Sequence, residues 1–172
     1  MSAQAIGSLL VEQNLTITTA ESCTAGLLSS LIAEVSGASS WFIGGWVTYS
    51  NALKVSQLGV RQTSLEQHGA VSSEVASAMA IGASKMSGSN VALSTTGIAG
   101  PTGGSEEKPV GTVFIGCKVK EDLQVREFRF SGTRNEIQNH AAQTAIEMLR
   151  VQLTSQQVNS LCCQHGGVIH VD

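Results

Sequence analysis

Segments with helical and with strand periodicity alternate along this chain, and that alternation restricts its fold more than any other feature. Apolar residues have helical spacing over residues 3–13, alternate as in a strand over 15–20, and return to helical spacing over 23–35. The later predicted segments are a strand at 46–49, a helix through Leu58, a helix after Ser72, a strand at 91–96, a hairpin of 110–120 with 123–130 turning at Glu121–Asp122, and a helix from Thr133 to about Gln152. This order predicts an α/β fold, a three-layer α/β/α sandwich around a mixed β-sheet.

Capping signals give several of these helices defined ends. Ser50 is a predicted N-cap, with Gly59 placed as the residue that ends the same helix, and Ser72 is a second predicted N-cap. Residues 133–136 read Thr-Arg-Asn-Glu, which is a capping box. The periodicity fades after Ser155, so we expect a single domain over residues 1–155 and a loose C-terminal tail over 156–172.

Composition excludes several classes of protein. The 172 residues carry a formal net charge of −3 and no run of Lys or Arg, which argues against a direct partner of nucleic acid. No apolar stretch approaches the roughly 20 residues of a membrane span, and the N-terminus lacks the pattern of a signal peptide. The four cysteines do not form a disulfide pattern. We therefore expect a reduced, cytoplasmic protein.

Ser22 is a candidate nucleophile because it lies where a predicted strand turns into a predicted helix. Helix N-terminal N–H groups and the helix dipole favour negative charge at such a place, and the N–H of Cys23 can contribute to an oxyanion hole. Ser22 can equally be an ordinary N-cap, which is the commoner role of a serine there. Cys23 is an alternative nucleophile, but none of the polar segments contains a histidine to activate it.

Lys54 is the candidate base for Ser22. Burial of its amine would disfavour the ammonium form, and Tyr49 can bridge the serine and the lysine through hydrogen bonds. The alternative interpretations are a solvated helix lysine and a half-buried strand tyrosine. His68 and His140 are the other possible bases, although neither has a recognisable motif around it and His140 is expected on the surface.

A glycine-rich segment over residues 97–104 follows the strand at 91–96. It lacks the lysine of a P-loop, yet its glycines allow backbone N–H groups to converge on an anion, and Lys108 can add charge for a phosphate. It can also be a plain connecting loop, with Lys108 paired to a neighbouring glutamate. Cys162, Cys163 and His165 match no standard zinc spacing, so we expect no metal site.

Four motifs together resemble one family. They are Thr-Thr-Ala-Glu-Ser-Cys-Thr-Ala-Gly at 18–26, Val-Thr-Tyr-Ser-Asn-Ala-Leu-Lys at 47–54, Gly-Ala-Val-Ser at 69–72, and Gly-Ile-Ala-Gly-Pro-Thr-Gly-Gly at 97–104 with Lys-Pro-Val-Gly-Thr-Val at 108–113. In this combination the chain, from about residue 5 to residue 150, resembles the CinA C-terminal domain family. Stand-alone bacterial members of that family are nicotinamide mononucleotide (NMN) deamidases.

The resemblance implies an amidohydrolase that converts the carboxamide of NMN to nicotinate mononucleotide and ammonia, with no metal or organic cofactor. It maps the family's catalytic residues onto Ser22, Tyr49 and Lys54. The expected oxyanion and substrate-binding residues are Cys23, Thr24, Thr96, Gly97, Gly100, Gly103, Gly104, Lys108 and Arg134. The family fold is a three-layer α/β/α sandwich, and we expect a homo-oligomer, most simply a dimer.

One departure and three alternatives accompany that expectation. Family members often carry an arginine one turn into the last helix, where this chain reads Ile-Gln-Asn-His at 137–140, so phosphate binding can be built differently here. The alternatives are a nucleotide-binding module without catalysis, an interaction protein of competence or DNA damage, and an amidase for another substrate.

Overall fold

The computed structural model of the chain describes residues 3–165, with side chains described from residue 3 to residue 155. The helices are α1 (Ala3–Glu12), α2 (Leu27–Ala33), α3 (Asn51–Leu58), α4 (Gln62–His68), α5 (Ser73–Ser87) and α6 (Arg134–His165), with a 3-10 turn at Ala38–Ser40. The strands are β1 (Ile17–Glu21), β2 (Phe42–Val47), β3 (Val91–Gly97), β4 (Thr112–Val119) and β5 (Asp122–Arg129).

The strands form one mixed sheet in the order β2-β1-β3-β4-β5. Strand β1 pairs in parallel with both β2 and β3, whereas β4 pairs antiparallel with β3 and β5 antiparallel with β4. Every residue of β1 is buried, as expected of a parallel strand that is covered on both faces. The predicted mixed sheet is therefore confirmed.

Two apolar cores cover the two faces of the sheet. Alternate residues of a strand point to opposite faces, and neighbours on β3 show it: Leu93 belongs to the core beneath α1, α2 and α6, and Ala92 belongs to the core beneath α3, α4 and α5. Helix α5 crosses β1, β3 and β4 from the second face, and α6 packs on β3 and β4 from the first. The structure thus confirms the predicted α/β/α layers.

The predicted caps are confirmed. Ser50 precedes α3 and its hydroxyl accepts from the N–H of Leu53, while Ser72 accepts from the N–H of Val75 at the start of α5. The Glu136 carboxylate accepts from the backbone N–H of Thr133 at 2.7 Å, and the N–H of Glu136 donates to Thr133 Oγ1 at 3.4 Å, as a capping box requires.

Other boundaries differ from the prediction. Helix α2 begins at Leu27 rather than Cys23, because Ala25 (φ 51°) and Gly26 (φ 102°) are left-handed and interrupt the helix. Helix α6 continues to His165, well past Gln152 and into the segment expected to be a loose tail, whose remaining residues 166–172 lie outside the described residues. The sequence analysis also missed α4 and placed the hairpin turn one residue too late. No helix among residues 3–165 is long and apolar enough to cross a bilayer.

Candidate functional site

Strand register brings the polar segments together at one edge of the sheet. Glu21, the last residue of β1, pairs with Val47 at the end of β2 and with Thr95 near the end of β3. The next backbone groups extend the same pairing: the N–H of Thr48 donates to the Glu21 carbonyl at 2.8 Å, and the N–H of Ser22 donates to the Thr95 carbonyl at 2.9 Å. Ser22 is therefore fixed on both sides, at the carboxyl ends of parallel strands where α/β folds bind ligands.

Lys54 reaches Ser22 from the first turns of α3. Its Nζ lies 3.0 Å from Ser22 Oγ, 2.8 Å from the carbonyl oxygen of Thr48 and 3.4 Å from that of Tyr49. Only 1% of Lys54 and 9% of Ser22 is exposed, and Lys54 has no carboxylate partner among the salt bridges of the described residues. Burial lowers the pKa of Lys54 from its ordinary value, because desolvation penalises the ammonium form. The solvated-lysine interpretation is thus excluded by the geometry.

Cys23 is not suited to act as the nucleophile. Burial raises the pKa of its thiol to about 12, so the thiol stays protonated near neutral pH. The backbone of this turn supplies hydrogen-bond donors instead. Within the described part of the chain, the N–H groups of Cys23 and Thr24 do not donate to an oxygen atom. These two donors remain available to a ligand.

Glu21 corrects our expectation about the helix N-terminus. Its fully buried carboxylate accepts from the N–H groups of Gly26, Leu28 and Ser29 at 2.8–3.0 Å, and from the hydroxyls of Thr24 and Ser29 at 2.6 Å. The first N–H groups of α2 are thereby occupied and its positive end is neutralised by a carboxylate. Ser22 is consequently not the N-cap of α2. The first N–H groups of α2 cannot stabilise negative charge at Ser22, because Glu21 occupies them.

The predicted Tyr49 bridge between serine and lysine is not formed. The Tyr49 side chain is 56% exposed, and its hydroxyl accepts from Arg134 Nη2 at 2.7 Å. Arg134 also donates from Nη1 to the Gly100 carbonyl at 2.8 Å, so its guanidinium joins Tyr49 to the glycine-rich segment. Only the backbone of Tyr49 contacts Lys54. The tyrosine and the arginine lie at the exposed rim of the site.

A cavity of about 190 Å³ opens beside Ser22 and Lys54. Its other lining residues are Cys23, Tyr49, Asn51, Ala70, Val71, Thr96, Gly97, Ala99 and Arg134. Most of the predicted site residues are therefore brought together. Gly97 must be small, since a Cβ there would lie 2.7 Å from the Thr112 carbonyl oxygen. A wider cavity of about 1050 Å³ lies against α1, α2 and α6, but none of the predicted site residues lines it.

Five predicted residues do not line the cavity. Gly100 takes part only through its carbonyl bond to Arg134, and Gly103 and Gly104 are exposed farther along the loop. Lys108 donates to the His68 carbonyl at 3.0 Å instead of facing the cavity. Thr24 is turned inward to Glu21 and Thr95, so its side chain is structural. The glycine-rich loop contributes backbone groups to the site, and the positive charge at the rim of the cavity comes from Arg134.

The contacts of Thr96 and His68 change two further expectations about the site. The Thr96 hydroxyl lines the cavity but donates to the Ala70 carbonyl at 2.7 Å, and an oxyanion role would require that bond to break. His68, the alternative base, lies 3.8 Å from Glu74 on an exposed surface and does not line the cavity. His140 is exposed, as expected, and contacts Phe130.

The family model for the CinA C-terminal domain matches residues 1–153. The chain belongs to the CinA C-terminal domain family. Among curated relatives, it is 44% identical to a putative competence-damage inducible protein of Clostridium novyi and 47% identical to a CinA-like protein of Geotalea uraniireducens, each over 150 residues. Each alignment covers 87% of this chain but 36% of the relative, so the chain spans little more than a third of their length.

Solved structures of the CinA family share this fold. The competence/damage inducible protein CihA of Agrobacterium tumefaciens superposes with a TM-score of 0.85 at 41% identity, covering 88% of this chain and 93% of that one. A CinA superfamily protein of Escherichia coli gives a TM-score of 0.84 at 33% identity, with 87% of each chain covered. The fold class and the family are thus shown together.

Sequence reasoning missed three residues of this CinA domain's site. Glu21 was visible as a lone carboxylate at the end of an apolar strand, and Asn51 as the first residue of α3 beside the predicted cap. Gln138 was noticed only as part of the departure from the family pattern at 137–140, and its contact was not predicted: its Nε2 donates to the Cys23 carbonyl at 2.7 Å across 115 residues. No group of three metal-ligating side chains occurs among the described residues. The tail residues Cys162, Cys163 and His165, which we expected not to form a metal site, lie outside the described side chains.

Proposed function

We propose that this chain is an amidohydrolase that cleaves the carboxamide of NMN, giving nicotinate mononucleotide and ammonia. The observation that carries the proposal is the 3.0 Å contact between Lys54 Nζ and Ser22 Oγ, both of which belong to buried residues. A serine needs a base to become a nucleophile, and a desolvated amine with a lowered pKa is such a base. Membership of the CinA family supports the choice of substrate.

The hydrogen bonds of Lys54 suit a neutral amine. A neutral amine has two N–H bonds and one lone pair, and two carbonyl oxygens, those of Thr48 and Tyr49, lie within reach of the two N–H bonds. In the structure Nζ also donates to the third neighbour, Ser22 Oγ, at 3.0 Å. Once Lys54 loses a proton, its lone pair faces this hydroxyl, which then donates to the amine. Lys54 in this form accepts the hydroxyl proton as Ser22 Oγ attacks the carboxamide carbon.

The rest of the reaction is acyl transfer to water. The tetrahedral oxyanion is stabilised by the N–H of Cys23, which has no oxygen acceptor in the described structure. The Lys54 ammonium returns its proton to the amide nitrogen, the C–N bond breaks, and ammonia leaves an ester on Ser22. Water then attacks this ester while Lys54 takes a proton from it, and that proton returns to Ser22 Oγ as the C–O bond breaks. The carboxylic acid that departs loses its own proton to solvent and becomes nicotinate.

The size of the cavity and the charge at its rim suit a nucleotide that places only its reactive end inside the cavity. A cavity of about 190 Å³ is smaller than the roughly 300–1,000 Å³ of pockets that enclose a whole drug-sized ligand. The carboxamide end can enter the cavity, while the remainder of the substrate lies at the rim. The Arg134 guanidinium there has no acidic partner among the salt bridges of the described residues, which suits a phosphate.

The test is ammonia release from NMN by the purified protein, with and without a chelator. We expect turnover that is insensitive to the chelator, and loss of about 10⁴-fold or more in kcat for Ser22→Ala, as for other serine nucleophiles. Ser39→Ala, which removes an exposed hydroxyl, is the matched control and should retain full activity.

Other outcomes would point to the alternatives. Binding of NMN without ammonia release would favour a non-catalytic nucleotide-binding module. Ammonia release from a different carboxamide alone would favour another substrate for the same serine and lysine. Salt-dependent binding of DNA would favour the role that the names of the relatives suggest, although the net charge of −3 argues against it.

A further inference from the structure

The oxyanion donors of this site lie in the turn after β1 and not at a helix end. Glu21 occupies the N–H groups of Gly26, Leu28 and Ser29, which leaves the N–H groups of Cys23 and Thr24 without an oxygen acceptor in the described structure. An oxyanion hole works only if its donors are held in place before the reaction. What holds these two peptide groups therefore decides how well the site can work.

The first peptide group is held within the turn itself. The Ser22 carbonyl accepts from the N–H of Ala25 at 3.2 Å. In a trans peptide the C=O and the following N–H point in opposite directions. Fixing the Ser22 carbonyl therefore also fixes the direction of the Cys23 N–H.

The second peptide group is held from the opposite end of the chain. The Cys23 carbonyl accepts from Gln138 Nε2 at 2.7 Å, and this bond fixes the direction of the Thr24 N–H in the same way. Gln138 lies in the first turns of α6, four residues after Arg134, so both side chains project from one face of that helix. One helix thus contacts the rim and the nucleophile turn.

We propose that Gln138 is a positioning residue for hydrolysis: by holding the Cys23 carbonyl, it fixes the turn that carries Ser22 and the N–H of Cys23. This inference rests on the proposed acyl transfer at Ser22. Gln138 does not line the cavity, so it acts through the turn and not through the substrate. Gln138 supplies one N–H donor of the right reach, and its amide is sufficient for that contact.

The test compares Gln138→Met, which keeps the length and removes the donor, with Gln138→Lys, which restores an N–H donor. Gln143→Met, an exposed glutamine of the same helix, is the matched control. For ammonia release from NMN we expect Gln138→Met to lower kcat about 10- to 100-fold with KM within about twofold, because one misplaced oxyanion donor costs this much. Gln138→Lys should recover most of kcat.

A second readout does not depend on NMN. A fluorophosphonate phosphonylates an activated serine: Ser22 Oγ bonds to phosphorus, fluoride leaves, and Lys54 takes the hydroxyl proton. Its P–O oxygen takes the place of the oxyanion, so Gln138→Met should slow labelling at Ser22 about tenfold or more, and Gln143→Met should not.

The outcomes separate the two proposals. Wild-type labelling at Ser22 that slows in Gln138→Met, with no hydrolysis of NMN, would retain the positioning role and reject the substrate. A rise in KM at unchanged kcat would show a substrate contact and overturn the positioning role. Unchanged kcat and unchanged labelling would also overturn it, as would losses that track a lowered unfolding temperature in all three variants.

Discussion

Glu21 and Ser22 are adjacent residues with opposite hydrogen-bonding conditions. The Glu21 carboxylate accepts from five donors, and both of its oxygens are saturated. Next to Ser22, the N–H groups of Cys23 and Thr24 have no oxygen acceptor and the buried amine of Lys54 has no carboxylate partner within the described part of the chain. Saturated polar groups give rigidity, whereas unsaturated ones give reactivity. The comparison indicates that the hydrogen bonds of Glu21 keep the turn around Ser22 in place.

The largest effect should come from the base. Lys54→Met keeps the length of the side chain and removes the amine, and we expect kcat for ammonia release to fall about 10³- to 10⁵-fold, close to the loss for Ser22→Ala, since residues that act as a unit lose nearly the same activity. Lys85→Met, at an exposed position of α5, is the control. Near-normal activity of Lys54→Met would show that the buried amine is not the base.

The pH profile examines the same amine without a substitution. Only neutral Lys54 accepts the serine proton, so kcat/KM should rise about tenfold per pH unit below the Lys54 pKa and level off above it. Because burial lowers that pKa from 10.5, the plateau should begin below pH 10.5. A kcat/KM that rises nowhere with pH below 10.5 would contradict this assignment.

Glu21→Gln tests the saturated side of the comparison. The amide NH₂ would face N–H donors, so we expect the free energy of unfolding to fall by about 2–4 kcal/mol in denaturant titrations. Glu136→Gln makes the same change in the exposed capping box of α6, where glutamine is also accepted, and should cost about 0.5 kcal/mol or less. Equal losses in the two variants would mean that saturation at Glu21 has no special structural value.

Arg134 should give the smallest effect. Arg134→Gln removes the cation at the rim but leaves Ser22 and Lys54 intact, so we expect KM for NMN to rise about tenfold with kcat nearly unchanged. The difference from wild type should shrink as salt is added, since exposed charges are screened. Arg61→Gln, an exposed arginine away from the cavity, serves as the control. A fall in kcat alone would place Arg134 in the chemistry and not in binding.

Two helix caps of this chain, the capping box of α6 and the Glu21 cap of α2, differ in how far the sequence predicts them. The α6 capping box joins Thr133 to Glu136, a spacing that local rules cover, and it was predicted. Glu21 caps α2 across five to eight residues through the left-handed Ala25 and Gly26, which no local rule covers, so both the cap and the start of α2 were missed.

The candidate site was predictable in part for the same reason. Ser22 and Lys54 stand in motifs whose strand ends meet at one sheet edge, and the motif resemblance selected them. The contacts of Arg134 with Tyr49 and of Gln138 with Cys23 span 85 and 115 residues. Such contacts depend on how α6 lies over the sheet, and a single sequence contains no pattern for it.

The saturation of Glu21 has a consequence for how such a chain can diverge. The turn keeps its shape through a carboxylate that takes no part in the proposed reaction, so a substitution of Ser22 removes the nucleophile while leaving the scaffold and the rim intact. A duplicated copy can thus exchange catalysis for ligand sensing through one codon change. A substitution of the preceding codon, by contrast, endangers the folded protein itself.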